Sequence, residues 1–329
     1  MTRGPRVAPF PLGLVVAVAM LVGCKGPAQP SPRAGIPSLP GTVDPGVGGR
    51  IAFVQPRGDI PFATRIVIVA PDGSGLTQLS VGNLSAAAPT WSPDARRLAF
   101  EGGGRRSNTG IYTTDITGSQ GPRRLTPVPK QTATPDWSPD ARQIVFTRGR
   151  AFRSEIWVMN ADGTGQMRLT RNHAIDQDPD WSPDGEQIAF ASGRDGNFEI
   201  YVMGPDGSHP TRLTHTAPHV PDATPAWSPD GSRIAWSNAV SGNSEIWAMD
   251  ADGSAKVQLT HDPSLDSGPT WSPDGAWLAF TSGRSGEMQI WTMAADGTDP
   301  ARLTPAGDPP SFSPSWSAPA QPGPASPSP

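Results

Sequence analysis

The chain has 329 residues, of which 26 are basic and 30 acidic, so its formal net charge is −4 at pH 7. Binding to nucleic acid generally needs a basic face, and this charge balance argues against such a partner. Cys24 is the single cysteine, so no disulfide can form within the chain. Its stability must therefore come from packing, even in an oxidising compartment.

The N-terminus has the pattern of a bacterial export signal. Arg3 and Arg6 precede the apolar run 12–22, which has about 11 residues and is short for a membrane-spanning helix of ~20. The ending Leu-Val-Gly-Cys resembles a bacterial lipobox, which implies that Cys24 is lipidated and that residues 1–23 are removed as a lipoprotein signal peptide. An ordinary cleaved signal and an uncleaved anchor are the alternatives. Removal of both arginines leaves 24 basic and 30 acidic residues, a net charge of −6.

Two segments have the composition of disordered chain. Residues 24–49 are rich in Pro and Gly and poor in apolar residues, which predicts a flexible tether with a reach of roughly 25–30 Å. Residues 318–329 form a Pro-rich tail. Residues 50–317 remain for a folded domain.

This domain is built from one repeated unit. The tetrapeptide Trp-Ser-Pro-Asp recurs at intervals of 46, 44, 46 and 44 residues, and a further tryptophan follows 45 residues after the last copy; the six tryptophans are Trp91, Trp137, Trp181, Trp227, Trp271 and Trp316. A fixed period of this length, with turn residues at fixed offsets, is typical of a repeat architecture. The fold therefore follows from one unit.

Each unit contains four short segments between turns. In the fourth copy these segments are residues 179–182, 187–190, 199–203 and 211–214, which are rich in β-branched and aromatic residues and bounded by Gly, Pro and Asp. They predict a four-stranded antiparallel meander without a helix. Apolar residues run consecutively in the second and third segments, so both sheet faces are expected to be buried, as in the blades of a propeller.

The two ends of the domain are complementary. The first unit, residues 50–80, lacks a tryptophan strand, and the last tryptophan segment, residues 314–317, has no strand after it. We therefore predict an all-β, six-bladed propeller that is closed by pairing the Trp316 strand with the N-terminal unit. An open array with a defective first repeat is the alternative. In two turns Ala95 and Ala141 replace glycine, which predicts strain or another turn type there.

The repeat Pro-x-Trp-Ser-Pro-Asp-Gly, Ile-Ala-Phe, Glu-Ile-Tyr-Val-Met, Asp-Gly and Arg-Leu-Thr resembles the six-bladed propeller of the TolB family, also found in non-catalytic propellers of prolyl oligopeptidase relatives. The resemblance covers about residues 50–317 and implies the fold. TolB proteins are periplasmic, carry a small α/β domain before the propeller and bind a peptidoglycan-associated lipoprotein. Residues 24–49 are too short for that domain, so the role of TolB in outer-membrane constriction is not transferred.

The direction of the chain assigns each turn and loop to one of the two ends of a blade. The Pro-Asp-Gly and Asp-Gly turns lie at one end, while the longer second-to-third loops and the passages between blades lie at the other, where binding is expected. Three carboxylates in the passages stand five residues before a tryptophan, and two histidines stand eight before: Asp176, Asp222, Asp266, His173 and His219. These residues form a candidate binding rim. The equivalent residues in the other units are Ala86, Thr132 and Ser311.

The rim has three interpretations. Carboxylates and imidazoles are suitable ligands for a cation, so the aspartates are weak metal candidates, and the same groups suit a basic peptide. Alternatively, each aspartate caps its own loop by accepting backbone N–H bonds, an interpretation that similar aspartates in the TolB repeat favour. The second-to-third loops add a candidate basic belt, consisting of Arg57, Arg105, Arg106, Arg150, Arg153, Arg194 and Arg284. A solvated surface is the alternative for the belt.

Catalytic motifs are missing from the sequence. It has no Gly-x-Ser-x-Gly elbow, phosphate loop or paired-cysteine metal site, and we expect no catalytic residue and no cofactor. The sequence thus favours a monomeric, non-enzymatic, lipid-anchored propeller of the cell envelope that binds a protein or cell-wall component. The alternatives are a metal-dependent lyase or hydrolase at the channel mouth, similar to the propeller-shaped pectate-oligomer lyases, and a structural assembly subunit.

Overall fold

A computed structural model describes residues 48–58, 60, 63–103, 109–128, 131–150, 153–239 and 243–319. The predicted signal peptide with Cys24, nearly all of the predicted tether, and residues 320–329 of the predicted tail lie outside the described residues.

The described residues form strands and turns, without a helix. The strands are, in chain order, β1 (Ile51–Pro56), β2 (Thr64–Val69), β3 (Thr77–Leu79), β4 (Ser85–Trp91), β5 (Arg97–Gly103), β6 (Gly110–Asp115), β7 (Arg123–Arg124), β8 (Thr132–Trp137), β9 (Gln143–Arg150), β10 (Arg153–Asn160), β11 (Met167–Arg168), β12 (Asp176–Trp181), β13 (Ile188–Ser192), β14 (Glu199–Met203), β15 (Thr211–Arg212), β16 (Asp222–Trp227), β17 (Arg233–Asn238), β18 (Glu245–Asp250), β19 (Val257–Gln258), β20 (Asp266–Trp271), β21 (Trp277–Ser282), β22 (Gln289–Ala294), β23 (Ala301–Arg302) and β24 (Phe312–Trp316). A helix long and apolar enough to cross a membrane is thus not found in the described part of the chain.

The strands form six antiparallel sheets of four, which are the six blades. Blades 2 to 6 are β4–β7, β8–β11, β12–β15, β16–β19 and β20–β23, each in chain order, and blade 1 has the order β24-β1-β2-β3. The predicted six-bladed, all-β propeller is confirmed. Because blades 2 to 6 are meanders of neighbouring strands, one repeat of the sequence can build each of them without distant pairings.

The last strand closes the ring. β24 pairs antiparallel with β1, with Cα partners Ile51 and Trp316, then Ala52 and Ser315. Beyond this ladder, the backbone N–H of Ser317 donates to the carbonyl of Arg50 at 2.8 Å. The predicted closure is confirmed, and it gives β1 a hydrogen-bonded partner on both sides.

The core lies between neighbouring blades. In blade 4, Phe190 and Tyr201 pack with Trp181 against Val145 and Ile156 of blade 3. All five residues of β13 are buried, as the consecutive apolar pattern predicted. The second strands contribute one large aromatic each, with at most 2% exposure: Phe53, Phe100, Phe146, Phe190, Trp236 and Phe280. Burial of each such side chain contributes about 1.5–3 kcal/mol.

The turn after each tryptophan keeps one geometry in all five complete repeats. In blade 4, the amide of Gly185 donates to the carbonyl of Ser182 at 2.9 Å, with Gly185 at φ 75°. Ala95 and Ala141 occupy the same position at φ 55° and 59°, with the same hydrogen bond. The turn type is therefore unchanged, and both alanines adopt the left-handed backbone that normally favours glycine.

Candidate functional site

The blades present two different faces. We call the end with the tryptophans and the Pro-Asp turns the turn face, and the opposite end, with the second-to-third loops and the passages between blades, the loop face. Segments between consecutive strands span five to seven residues on the turn face and two (151–152) to nine (213–221) on the loop face. The variation that distinguishes blades is thus concentrated on the loop face.

The three aspartates of the candidate rim are buried. Asp176, Asp222 and Asp266 begin the inner strands β12, β16 and β20, and each has 0% exposure. The equivalent residues Ala86, Thr132 and Ser311 are also buried, each with at most 1% exposure. These positions therefore do not form an exposed arc of carboxylates. The cation and basic-peptide interpretations both depend on such an arc.

Two of the aspartates are held by side chains of their own blade. Asp176 accepts a hydrogen bond from the Ser192 hydroxyl and lies 3.4 Å from Nη2 of Arg194. In blade 6 the Asp266 carboxylate lies 2.6 Å from Nη2 of Arg284. The contacts are local, as the capping interpretation expected, but these donors are side chains rather than backbone N–H groups. Each pair fixes the start of an inner strand against the second-to-third loop.

The same arginines stack on aromatic rings. Cζ of Arg194 lies 4.6 Å from the centre of the Tyr201 ring, and Cζ of Arg284 lies 4.9 Å from the Trp291 ring. Their side chains are only 19% and 12% exposed. These two members of the predicted basic belt are thus structural, because their charges are neutralised by buried carboxylates and covered by rings.

The other residues of the candidate binding rim and the basic belt differ in their exposure to solvent. His173 and His219 are exposed on the passages into blades 4 and 5. On the loop face, Arg153 is exposed and Arg57 is half-buried. The guanidinium of Arg57 donates to the carbonyl of Gly82 at 2.8 Å. Arg105, Arg106 and the side chain of Arg150 lie outside the described residues. The described part of the chain contains no group of three His, Cys, Asp or Glu side chains arranged to hold a metal ion.

A second buried network, formed by hydrogen bonds, supports the loop face. It was not predicted from the sequence. Glu199, at the start of β14, accepts hydrogen bonds from Thr214 at 2.8 Å, from Arg212 at 2.6 Å and from the backbone N–H of Thr216 at 3.0 Å. The hydroxyl of Thr214 also accepts from the N–H of Ile200 at 2.8 Å. The Glu-Ile and Leu-Thr pairs of the repeat signal this network, because they recur at fixed spacing. The same contact joins Glu155 to Thr170 and Glu245 to Thr260.

The inner strands contain an irregularity that the sequence analysis also missed. The third residue before each tryptophan has a left-handed backbone, with φ between 43° and 62°; these residues are Ala88, Thr134, Asp178, Thr224, Gly268 and Ser313. The pairing register between inner and second strand skips at this point, as in a β-bulge. The bulge lies next to the central channel, and burial raises the pKa of Asp178 to about 6.

Side chains immediately before the tryptophans join neighbouring blades around the channel. The carboxylate of Asp136 accepts the backbone N–H of Trp181 at 2.9 Å, and that of Asp180 accepts the N–H of Trp227 at 2.7 Å. The hydroxyl of Thr90 donates to Asp136 at 2.9 Å. Each bond links an inner strand to the next blade, so the channel wall is hydrogen-bonded across blade boundaries.

These channel carboxylates are electrostatically strained. Burial raises the pKa of Asp136 to about 6. Burial and the negative charge of Asp136 together raise the pKa of Asp180 well above its ordinary value. The pair lines a cavity of about 320 Å³ at the turn end of the channel, whose walls include Trp91, Trp227, Trp271 and Trp316. In the sequence, both carboxylates occupy the variable position x of the Pro-x-Trp motif, and this was the available signal for the lining.

Comparison with known proteins agrees with this architecture. The model of the TolB beta propeller domain matches residues 44–221 and 216–321. TolB from Acinetobacter baumannii is 25% identical with a TM-score of 0.72, over 82% of this chain and 66% of that chain. The chain thus spans slightly less than two thirds of that protein. A putative TolB from Agrobacterium tumefaciens is 24% identical with a TM-score of 0.63, over 78% of this chain and 88% of that one.

A more distant structure shares the fold alone. An oligogalacturonate lyase in complex with manganese is 15% identical with a TM-score of 0.55, over 74% of this chain and 72% of that one. No curated protein matches the chain. The domain model covers most of the chain, and the six-bladed ring with its repeated Trp-Ser-Pro-Asp turns agrees with it. The chain therefore belongs to the TolB beta propeller domain family.

Proposed function

We propose that the chain is a non-enzymatic, lipid-anchored propeller of the cell envelope, which binds a protein or a cell-wall component through its loop face. The position of the two chain ends supports this most directly. The indole N–H of Trp316 donates to the carbonyl of Gly48 at 3.3 Å, and Ala318 lines the turn end of the channel. Both ends of the propeller thus leave from the turn face. A tether from Cys24 would attach there and leave the loop face on the opposite side.

The construction of the loop face suits recognition. Its second-to-third loops and passages vary in length, while Asp–Arg pairs and the Glu–Thr network hold their bases. Its exposed groups include Arg153, His173, His219 and Glu287. Such a surface presents charges of both signs and favours a polar, charge-patterned partner over an apolar ligand.

Site-specific crosslinking in intact cells tests the binding face. A photoreactive amino acid in place of His219 or Arg153 is expected to crosslink a discrete partner. The matched control replaces Arg142, whose side chain is 85% exposed on the turn face, and it is expected to yield no such product. A partner that crosslinks from position 142 and from neither loop-face position would refute the proposed face.

The anchor has its own test. Cys24→Ser removes the thiol to which lipid would be attached, so the protein is expected to move from the membrane fraction to the soluble exported fraction. The ring is far from this residue in sequence, and its thermal unfolding should remain unchanged. Retention of the variant in the membrane fraction after a high-salt wash would contradict lipidation at Cys24.

A further inference from the structure

Blade 5 breaks a pattern that blades 4 and 6 share. In those two blades the residue paired with the first aspartate of the inner strand is a serine, and an arginine follows two residues later, as in Ser192-Gly193-Arg194. The corresponding segment of blade 5 reads Asn238-Ala239-Val240. Asp222 therefore lacks the arginine that neutralises Asp176 and Asp266.

The surroundings of Asp222 leave two buried oxygen atoms without donors. Its Oδ1 accepts from Nδ2 of Asn238 at 2.5 Å and from Nε1 of Trp236 at 2.9 Å. Its Oδ2, and Oδ1 of Asn238, have no hydrogen-bond partner among the described residues. Asp222 is 0% and Asn238 4% exposed, so bulk water does not compensate these atoms. An unpaired buried group of this kind destabilises the folded state, because its lost hydrogen bond to water is not replaced.

One added proton would supply the donor that both oxygen atoms lack. Carried on Oδ2 of Asp222, it would be donated to Oδ1 of Asn238, while Nδ2 of Asn238 continues to donate to Oδ1 of Asp222. The result is a cyclic pair between a carboxylic acid and an amide, in which each group both donates and accepts. The ionised carboxylate cannot form this pair, since it only accepts.

The neighbouring charges favour the same state. Glu199 of β14 is buried and held by Arg212. The Thr214 hydroxyl lies close enough to the Asp222 carboxylate to lower its pKa, but it donates its single hydrogen to Glu199. Burial first, and the charge of Glu199 in addition, raise the pKa of Asp222 to about 6, against the lowering effect of its hydrogen bonds. The histidines of the passage, His215 and His219, are exposed.

We propose that Asp222 is a neutral acid bonded to Asn238 in the folded propeller at mildly acidic pH, and that its ionisation near neutral pH loosens passage 213–221 between blades 4 and 5. This passage is tied to Glu199 at its start, through Thr214 and Thr216. It ends at Asp222, whose N–H donates to the carbonyl of Phe198 at 2.9 Å. A second negative charge beside Glu199 would weaken both ties. The loop face would then contain one segment whose order depends on pH.

Carboxyl NMR on the purified protein tests the protonation directly. The ¹³C carboxyl signal of Asp222, assigned through the backbone resonances of the unsubstituted protein, is expected to titrate with a midpoint near pH 6. The ordinary value for aspartate is about 3.9. A midpoint near 4 would overturn the proposal. This measurement on the unsubstituted protein decides the question even if the variant folds poorly.

Hydrogen exchange tests the consequence for the passage. After correction for intrinsic exchange rates, the amides of 213–221 are expected to lose protection between pH 5 and 8. Asp222→Asn should remove this dependence, because the new amide can donate to Oδ1 of Asn238 at every pH. Asp176→Asn removes a carboxylate that is paired with an arginine. It should lower the protection of the amides in its own passage, 169–175, at pH 5 and at pH 8 alike. An unchanged pH dependence of 213–221 in Asp222→Asn would also overturn the proposal.

Discussion

Ending the chain at Pro309, before the closing strand, is expected to abolish the cooperative unfolding transition of the propeller. The truncation removes β24 and leaves the backbone groups of β1 unpaired on one side. It also removes Phe312 and Trp316, which are 6% and 8% exposed. Loss of one buried aromatic side chain costs about 3–5 kcal/mol, and a domain has only about 5–15 kcal/mol in total. Thermal unfolding followed by circular dichroism and size-exclusion chromatography measures the effect.

The control for this truncation ends the chain at Pro319. It keeps β24 and removes only residues beyond the described part of the chain, so the melting temperature should match that of the full chain. Trp316→Ala gives an intermediate case, for which we expect a loss of about 3–5 kcal/mol in the free energy of unfolding. A protein ending at Pro309 that unfolds cooperatively at the full-length temperature would show that closure contributes nothing.

Raising the pH from 5 to 8 is expected to lower the free energy of unfolding by about 1–3 kcal/mol, less than the full pKa shifts imply, since the responsible carboxyls are only half-buried. Burial raises the folded-state pKa of Glu101 to about 7 and of Asp136 and Asp178 to about 6. A carboxyl with a raised folded-state pKa keeps its proton where the unfolded chain has lost it. Its contribution is therefore present below the unfolded value, near 4, and falls as the pH rises through the folded value. Urea unfolding at a series of pH values measures this slope.

The channel pair offers the sharpest variant for this prediction. Asp180→Asn removes one of the two interacting charges, while the new amide oxygen can still accept the N–H of Trp227. We expect the variant to be more stable than the parent by about 1–3 kcal/mol at pH 8, and the difference to shrink at pH 5.

Asp184→Asn provides the matched control on the next turn, since its carboxylate has a lowered pKa, mainly because the Ser182 hydroxyl donates to it. This substitution should not stabilise the protein at pH 8. Equal effects of the two substitutions would show that repulsion within the Asp136–Asp180 pair is negligible.

The architecture was predictable because the relevant signals are local and repeated. A four-segment unit of constant length fixes the blade, and the incomplete ends at 50–80 and 314–317 indicate how the ring closes. Turn geometry was less predictable. Ala95 and Ala141 keep the turn of the glycine-containing repeats because their φ values of 55° and 59° are tolerated within a well-paired hairpin.

The site was harder to predict because one-dimensional spacing does not reveal which way a side chain points. Asp176 was assigned to the candidate binding rim and Arg194 to the basic belt, but the two side chains form an ion pair within one blade. Antiparallel pairing of β12 with β13 brings the end of β13 back beside the start of β12. The channel residues Asp136 and Asp180 were missed because the bulge shifts the register of each inner strand. Without the bulge, strict alternation would assign these side chains differently.

A closed ring requires pairing between strands at opposite ends of the domain, which disulfide trapping measures directly. Ala52 and Ser315 are Cα partners across β1 and β24, and Ala226 and Ala235 are the equivalent partners within blade 5. In a Cys24→Ser background, Ala52→Cys with Ser315→Cys is expected to form an intramolecular disulfide on mild oxidation as completely as Ala226→Cys with Ala235→Cys. Disulfide formation by the blade 5 pair alone would contradict a closed ring.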